Sequence, residues 1–185
     1  MAARTSMADL ITQVRFLIGD PSGASAVFTD TELQTCLDNN AVDVLYEPLR
    51  PIPTIAAGGA TTYLMWEAEA GWWESSEVLT DGSYNTLTAS TSDRQRGRWT
   101  FAATQSAVLL KGARYDVYLA AAEVVDVWIA KVKLDFDFDA DGASFKRSQK
   151  IKALTDLANT LRSKAGGGGV ITAQMIRTDV RYGNS

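Results

Sequence analysis

Thr29-Asp30-Thr31-Glu32-Leu33-Gln34-Thr35-Cys36-Leu37-Asp38-Asn39-Asn40-Ala41-Val42-Asp43-Val44-Leu45-Tyr46-Glu47-Pro48 is the stretch on which the reading of the fold turns. It opens with capping-box spacing, Thr29 at the cap and Glu32 at the third helical position, which gives two orphan backbone donors a partner. Leu33, Cys36, Leu37, Val44 and Leu45 recur at helical spacing, so the pattern predicts one amphipathic helix over about 30–47. Pro48, Pro51 and Pro53 then forbid its continuation. Cys36 on that apolar face reads as a small buried residue.

Working outward, Met7, Leu10, Ile11, Val14, Leu17 and Ile18 predict a first helix over about 7–19. Ser6 is its expected N-cap and Gly19-Asp20-Pro21 its stop. Beyond the prolines the character changes, as Thr, Tyr, Trp and Val replace helix formers. Thr61–Trp66, Glu77–Thr80, Tyr84–Thr88, Arg98–Ala102 and Ala107–Leu110 read as strands, with Asp81-Gly82 as a hairpin turn. Ser90–Gly97 reads as an exposed hairpin tip carrying Arg94, Arg96 and, just after it, Arg98. Helix returns over about 113–135, on the stripe Tyr115, Tyr118, Leu119, Ala122, Val125, Ile129, Val132 and Phe136. A fourth helix, over about 144–165, is capped by Ser144 and shares the face Ile151, Leu154, Ala158 and Leu161.

The expected fold is α+β, mainly a bundle of four principal helices with an inserted antiparallel β-subdomain and an extended C-terminal arm. The expected divisions are 1–50 (N-terminal helices), 51–112 (β-rich insert), 113–166 (C-terminal helices of the same bundle) and 167–185 (glycine joint and arm). Gly166 to Gly169 uncouple the arm from the bundle. Val170, Ile171, Met175, Ile176, Val180 and Tyr182, with Arg177 and Arg181 among them, suit a strand added to an exposed sheet edge.

Composition excludes several chemistries. The chain has 185 residues, 46% hydrophobic and 22% charged, with no histidine and one cysteine. A Ser-His-Asp triad, a Cys-His dyad and a His-ligated zinc or haem are therefore unavailable. One cysteine allows no intrachain disulfide, so nothing points to secretion. The N-terminus lacks a signal-peptide core and no run approaches a membrane span, so we expect a soluble, intracellularly made protein with no membrane partner. A net charge of −4 disfavours tight binding of nucleic-acid phosphates.

Three features could carry chemistry. Asp137-x-Asp139-x-Asp141-Gly142 matches the start of an EF-hand loop, but the twelfth position is Ser148 where a bidentate Glu belongs. A turn followed by a helix cap explains it better, and we expect no metal and no cofactor. Lys146, Arg147, Lys150 and Lys152 oppose the dipole of the helix they begin. They could meet the acidic run of a neighbouring copy across a subunit interface, or face a channel. Trp66, Trp72, Trp73 and Trp99 crowd into the β-rich region, where core or interface is the commoner use of indoles.

The order of elements and two strings resemble the head–tail adaptor (connector) proteins of long-tailed bacteriophages. The first is Leu10–Asp20 followed by Phe28-Thr29-Asp30-Thr31-Glu32-Leu33. The second is Tyr115 with Ala120-Ala121-Ala122-Glu123, then Phe138-Asp139-Ala140-Asp141-Gly142-Ala143-Ser144-Phe145-Lys146-Arg147-Ser148-Gln149. The resemblance covers about residues 7–50 and 113–166 and leaves the insert unexplained. It implies a non-enzymatic structural protein in the virion neck, present in the host cytoplasm during assembly. It implies a homo-oligomeric ring, commonly of twelve copies, below the portal, with the arm on the portal and the far side on a stopper or tail-completion protein. Genomic DNA would make transient, non-specific contact in the channel. The alternatives are a cytoplasmic helical binding module with a Trp-rich β-subdomain for a ligand or protein partner, and a weak metal-dependent enzyme using Asp135–Asp141.

Overall fold

Asn39 and Asn40 end the second helix well before Pro48. The computed structural model describes residues 2–55, 59–133, 138–140, 143–145 and 147–165. After a 3-10 turn at Thr5–Met7, helix α1 runs Ala8–Ile18 and stops at Gly19, whose φ of 69° is the left-handed conformation that ends helices cheaply only for glycine. Helix α2 is Asp30–Asn39, and both halves of the expected capping box are formed. The chain then turns extended. Strand β1 is Ala41–Pro48 and strand β2 is Arg50–Ile55. Asn40 bonds back to the Cys36 carbonyl (2.8 Å), the local competition with helix that makes asparagine a terminator.

Strands β3 (Thr61–Glu67), β4 (Val78–Thr80), β5 (Thr86–Leu87), β6 (Thr91–Asp93), β7 (Arg98–Thr100) and β8 (Leu109–Tyr115) follow. Helix α3 is Val117–Lys133, β9 (Phe138–Ala140) and β10 (Ala143–Phe145) pair with each other, and helix α4 is Arg147–Ala165. Two antiparallel sheets of four strands result, in the orders β1-β8-β4-β5 and β2-β3-β7-β6.

The expectation of a mainly helical bundle is therefore corrected. The fold is α+β, with four α-helices beside two antiparallel sheets of four strands each. The helix expected over 30–47 gives up its last seven residues to β1, which pairs with β8 from Ala41↔Tyr115 to Pro48↔Leu109. The helix expected from 113 begins at Val117, because Asp116 accepts hydrogen bonds from the N–H groups of Tyr118 (3.1 Å) and Leu119 (2.9 Å) as an N-cap. The fourth helix begins at Arg147, and Ser144 lies in β10 instead of capping it. Ser6 makes no cap bond either; its hydroxyl serves another group.

Two hydrophobic cores form. The first gathers Met7 of the 3-10 turn and Leu10, Val14, Leu33 and Leu37 from α1 and α2 around α3, with Leu154, Ala158 and Leu161 of α4. Helix α3 is apolar on nearly every side, which suits its place at the centre. The second core joins Leu49, Trp66, Trp73, Leu79, Trp99, Phe101, Val108 and Leu110. Pro51 and Pro53 lie in β2, an outer strand, where a missing N–H costs no ladder bond if it faces outward.

Candidate interaction site

Residues 71–75 join the two cores. Gly71 passes so close to the β6–β7 turn that a Cβ would lie 2.0 Å from the Gln95 carbonyl oxygen, a contact no other residue tolerates. Trp72 then takes φ 64°, strained for a bulky residue, and is held there from three sides. Its N–H donates to Gln95 O, its carbonyl accepts from Tyr115 N–H (3.0 Å), and its ring meets Tyr118 edge-on at 6.4 Å. Trp73, 2% exposed, enters the β core against Trp99 at 6.1 Å. One indole of the pair packs against the helical core and the next is buried in the other.

Glu74 locks this joint. Its carboxylate accepts from the Ser6 hydroxyl (2.5 Å), the Tyr115 hydroxyl (2.7 Å) and Arg4 Nε (3.2 Å). Arg4 also forks onto Asp38 of α2, at 2.7 and 3.1 Å. Burial works to raise the Glu74 carboxyl, but the Ser6 and Tyr115 hydrogen bonds and the Arg4 charge outweigh it and hold it below the ordinary carboxylate range. Burial, then the bond to Glu74, pushes the Tyr115 phenol well above its ordinary value. A carboxylate so occupied is a poor general base, and the cluster fits a structural lock.

The hairpin arginines are largely spoken for. Arg94 Nε sits 2.8 Å from both oxygens of buried Glu77, which also accepts from Trp99 Nε1 (3.1 Å). Arg98 and Arg50 share Glu67, whose carboxyl they hold low through their hydrogen bonds. Arg96 is exposed, with Asp93 at 3.8 Å. Asp81-Gly82 does lie in the β4–β5 connection, but the loop runs to Asn85. Asp81 accepts from the N–H of Ser83 and of Asn85, and Tyr84 takes φ 65°.

A second piece of local sequence, Ile18-Gly19-Asp20 with Phe28–Leu33, closes into one node. Asp20 is buried, pairs with Arg15 (2.8 Å) and accepts from Val27 N (2.7 Å) and Phe28 N (3.2 Å). Arg15 reaches on to Asp30 (2.8 Å), and Lys131 of α3 pairs with Glu32 (2.9 Å) over the Phe28 ring. Cys36 is buried, which pushes its thiol up to about 11.

No protein-family model, curated protein or solved structure matches the chain.

Of the remaining predicted residues, Lys150 stands 5.9 Å over the Trp128 ring and Lys152 is exposed on α4. Asp139 lies in β9 and Arg147 begins α4. Asp137, Asp141, Lys146 and the arm residues Val170, Ile171, Met175, Ile176, Arg177, Val180, Arg181 and Tyr182 lie outside the described residues. Trp66, Trp73 and Trp99 are buried, so they cannot form a stacking platform for a ligand. Among the described residues no group of acidic or thiol side chains is placed to hold a metal, and no helix is long and apolar enough to cross a membrane. Sequence reasoning missed residues 71–75 as a joint; the adjacent Gly71-Trp72-Trp73 was the available signal.

Proposed function

We propose that the chain is a structural adaptor of a phage head–tail junction, a ring-forming protein of the virion neck that docks below the portal, continues the DNA channel and receives a stopper or tail-completion protein. The observation that carries this reading is how the two resembling stretches meet. Residues 7–50 and 113–166 are separated by some sixty residues, yet their helices share one core. The signature residues Asp20, Thr29, Asp30 and Glu32 act there as caps and ion pairs that set α1, α2 and α3 against one another. Caps and ion pairs that fix three helices in this way speak for a scaffold, and the two sheets add surface to it. A net charge of −4 suits a conduit through which DNA slides without a basic surface to hold it.

Electron microscopy of the purified chain mixed with its portal tests this. Rings coaxial with the portal are expected. A monomer that leaves portals undecorated contradicts the reading.

A further inference from the structure

Every arginine whose side chain is described is ion-paired with a carboxylate, with one exception. The exception is Arg114 of β8. It is partly buried, and its guanidinium has no hydrogen-bond acceptor and no acidic partner among the described residues. Its five donors are left to whatever reaches them from outside.

Arg114 lines a cleft of about 440 Å³ where β1, the 69–72 segment, the start of α3 and the end of α4 come together. The register sets Val42 directly opposite Arg114, so both side chains lie on one face of the sheet, and Val42 is 48% exposed. Trp72 and Tyr118, edge-on to each other at 6.4 Å, supply an aromatic wall. Lys164, exposed in the last turn of α4, brings a second cation with no acidic partner among the described residues. Trp, Tyr and Arg are the residues that dominate the energetic centres of protein interfaces. All three meet here.

The charges in the cleft select the group that Arg114 takes. Asp116 also lines it, with its carboxylate accepting from the N–H groups of Tyr118 and Leu119, and so does exposed Glu69. Two cations thus stand beside two anions. A carboxylate adds a single negative charge and matches the guanidinium fork with two parallel hydrogen bonds. A phosphate brings nearly two charges and three oxygens, and its extra charge meets Glu69 and Asp116 as like charges. The site favours the carboxylate.

We propose that this cleft recognises an acidic segment of a partner protein. One Asp or Glu carboxylate of the partner pairs with Arg114, with Lys164 adding attraction, and an apolar side chain next to it lies against Trp72 and Tyr118. The pairing gives Arg114 the acceptor that every other described arginine finds within the chain. The site stands independently of the adaptor reading, which assigns no role to these residues.

Nuclear magnetic resonance on the full chain tests it, with the capped peptide acetyl-Ala-Leu-Glu-Leu-Ala-amide as probe and the assigned Trp72 indole N–H as reporter. We expect the Trp72 signal and the Tyr118 backbone signal to shift on titration. The same peptide with Gln in place of Glu should bind at least about tenfold more weakly, the loss of one charge-assisted pair, and this comparison leaves the protein untouched. Arg114→Gln should lose about as much, and Lys164→Gln, at an exposed helix end, about threefold. No shift of Trp72 at any soluble peptide concentration overturns the proposal. So does equal binding of the Glu and Gln peptides, tighter binding of a peptide with phosphoserine in place of Glu, or a folded Arg114→Gln variant that binds as the parent does. A Trp72 shift caused by Asp179→Asn without peptide shows the chain's own carboxylate in the cleft, and one caused by dilution alone shows a second copy there. Either result overturns it as well.

Discussion

The helical core and the β core are built from different materials. The first is mostly aliphatic, with Ala120, Ala121, Val124 and Val125 of α3 beside Phe28 and Tyr115, and its polar residues act at helix ends. The second holds three indoles and a phenylalanine, Trp66 and Trp99 from strands and Trp73 and Phe101 from beside them, and the carboxylates Glu77 and Glu67 hold Arg94 and the pair Arg50 and Arg98. An aliphatic helical core repeats one interaction many times, so no single side chain dominates it. A small aromatic core concentrates its burial in a few large residues. The lesson is that stability in the β unit rests on few positions, and on the joint through which the helices support it.

Trp73→Ala should give the largest effect. It removes a fully buried indole and its contact with Trp99, a loss on the order of 3–5 kcal/mol for a large aromatic. Chemical denaturation should show it, and a loss below 1 kcal/mol would break the contrast between the cores. Glu74→Ala comes next. It leaves the Tyr115 hydroxyl buried without its acceptor and frees partly exposed Arg4, costing about 2 kcal/mol; the same assay reads it.

Acid should act on the joint as well. The Glu74 carboxyl titrates lower in the folded chain than in the unfolded one, so the unfolded state binds protons first as pH falls. The stability it contributes is complete above the ordinary carboxylate pKa and is lost as pH drops through the folded value. Tm measured against pH should fall more steeply on the acid side for the parent than for Glu74→Gln. Parallel curves would remove Glu74 from the account. Thr29→Ala, in the helical unit, should cost only about 1 kcal/mol, the value of one N-cap.

The same contrast explains what was legible in the sequence. The capping box at Thr29 and Glu32, the apolar run of α3 and the Asp81 turn are local, and each is where its residues point. β1 was read as helix because Val44 and Leu45 continue the spacing of Leu37. Its true partner, β8, lies some seventy residues on, and only Asn39-Asn40 marked the break. The joint was still less visible. No local rule places a tryptophan at φ 64°, and Gly71 is demanded by a carbonyl twenty-four residues away.

Hydrogen exchange on the parent chain and on Glu74→Ala tests most directly the claim that two cores are coupled at one joint. The account predicts that the variant loses protection in β4, β7 and β8 while α1, α2 and α3 keep most of theirs. Equal loss in both regions would contradict it, because the molecule would then open as a single cooperative unit with no separable β core.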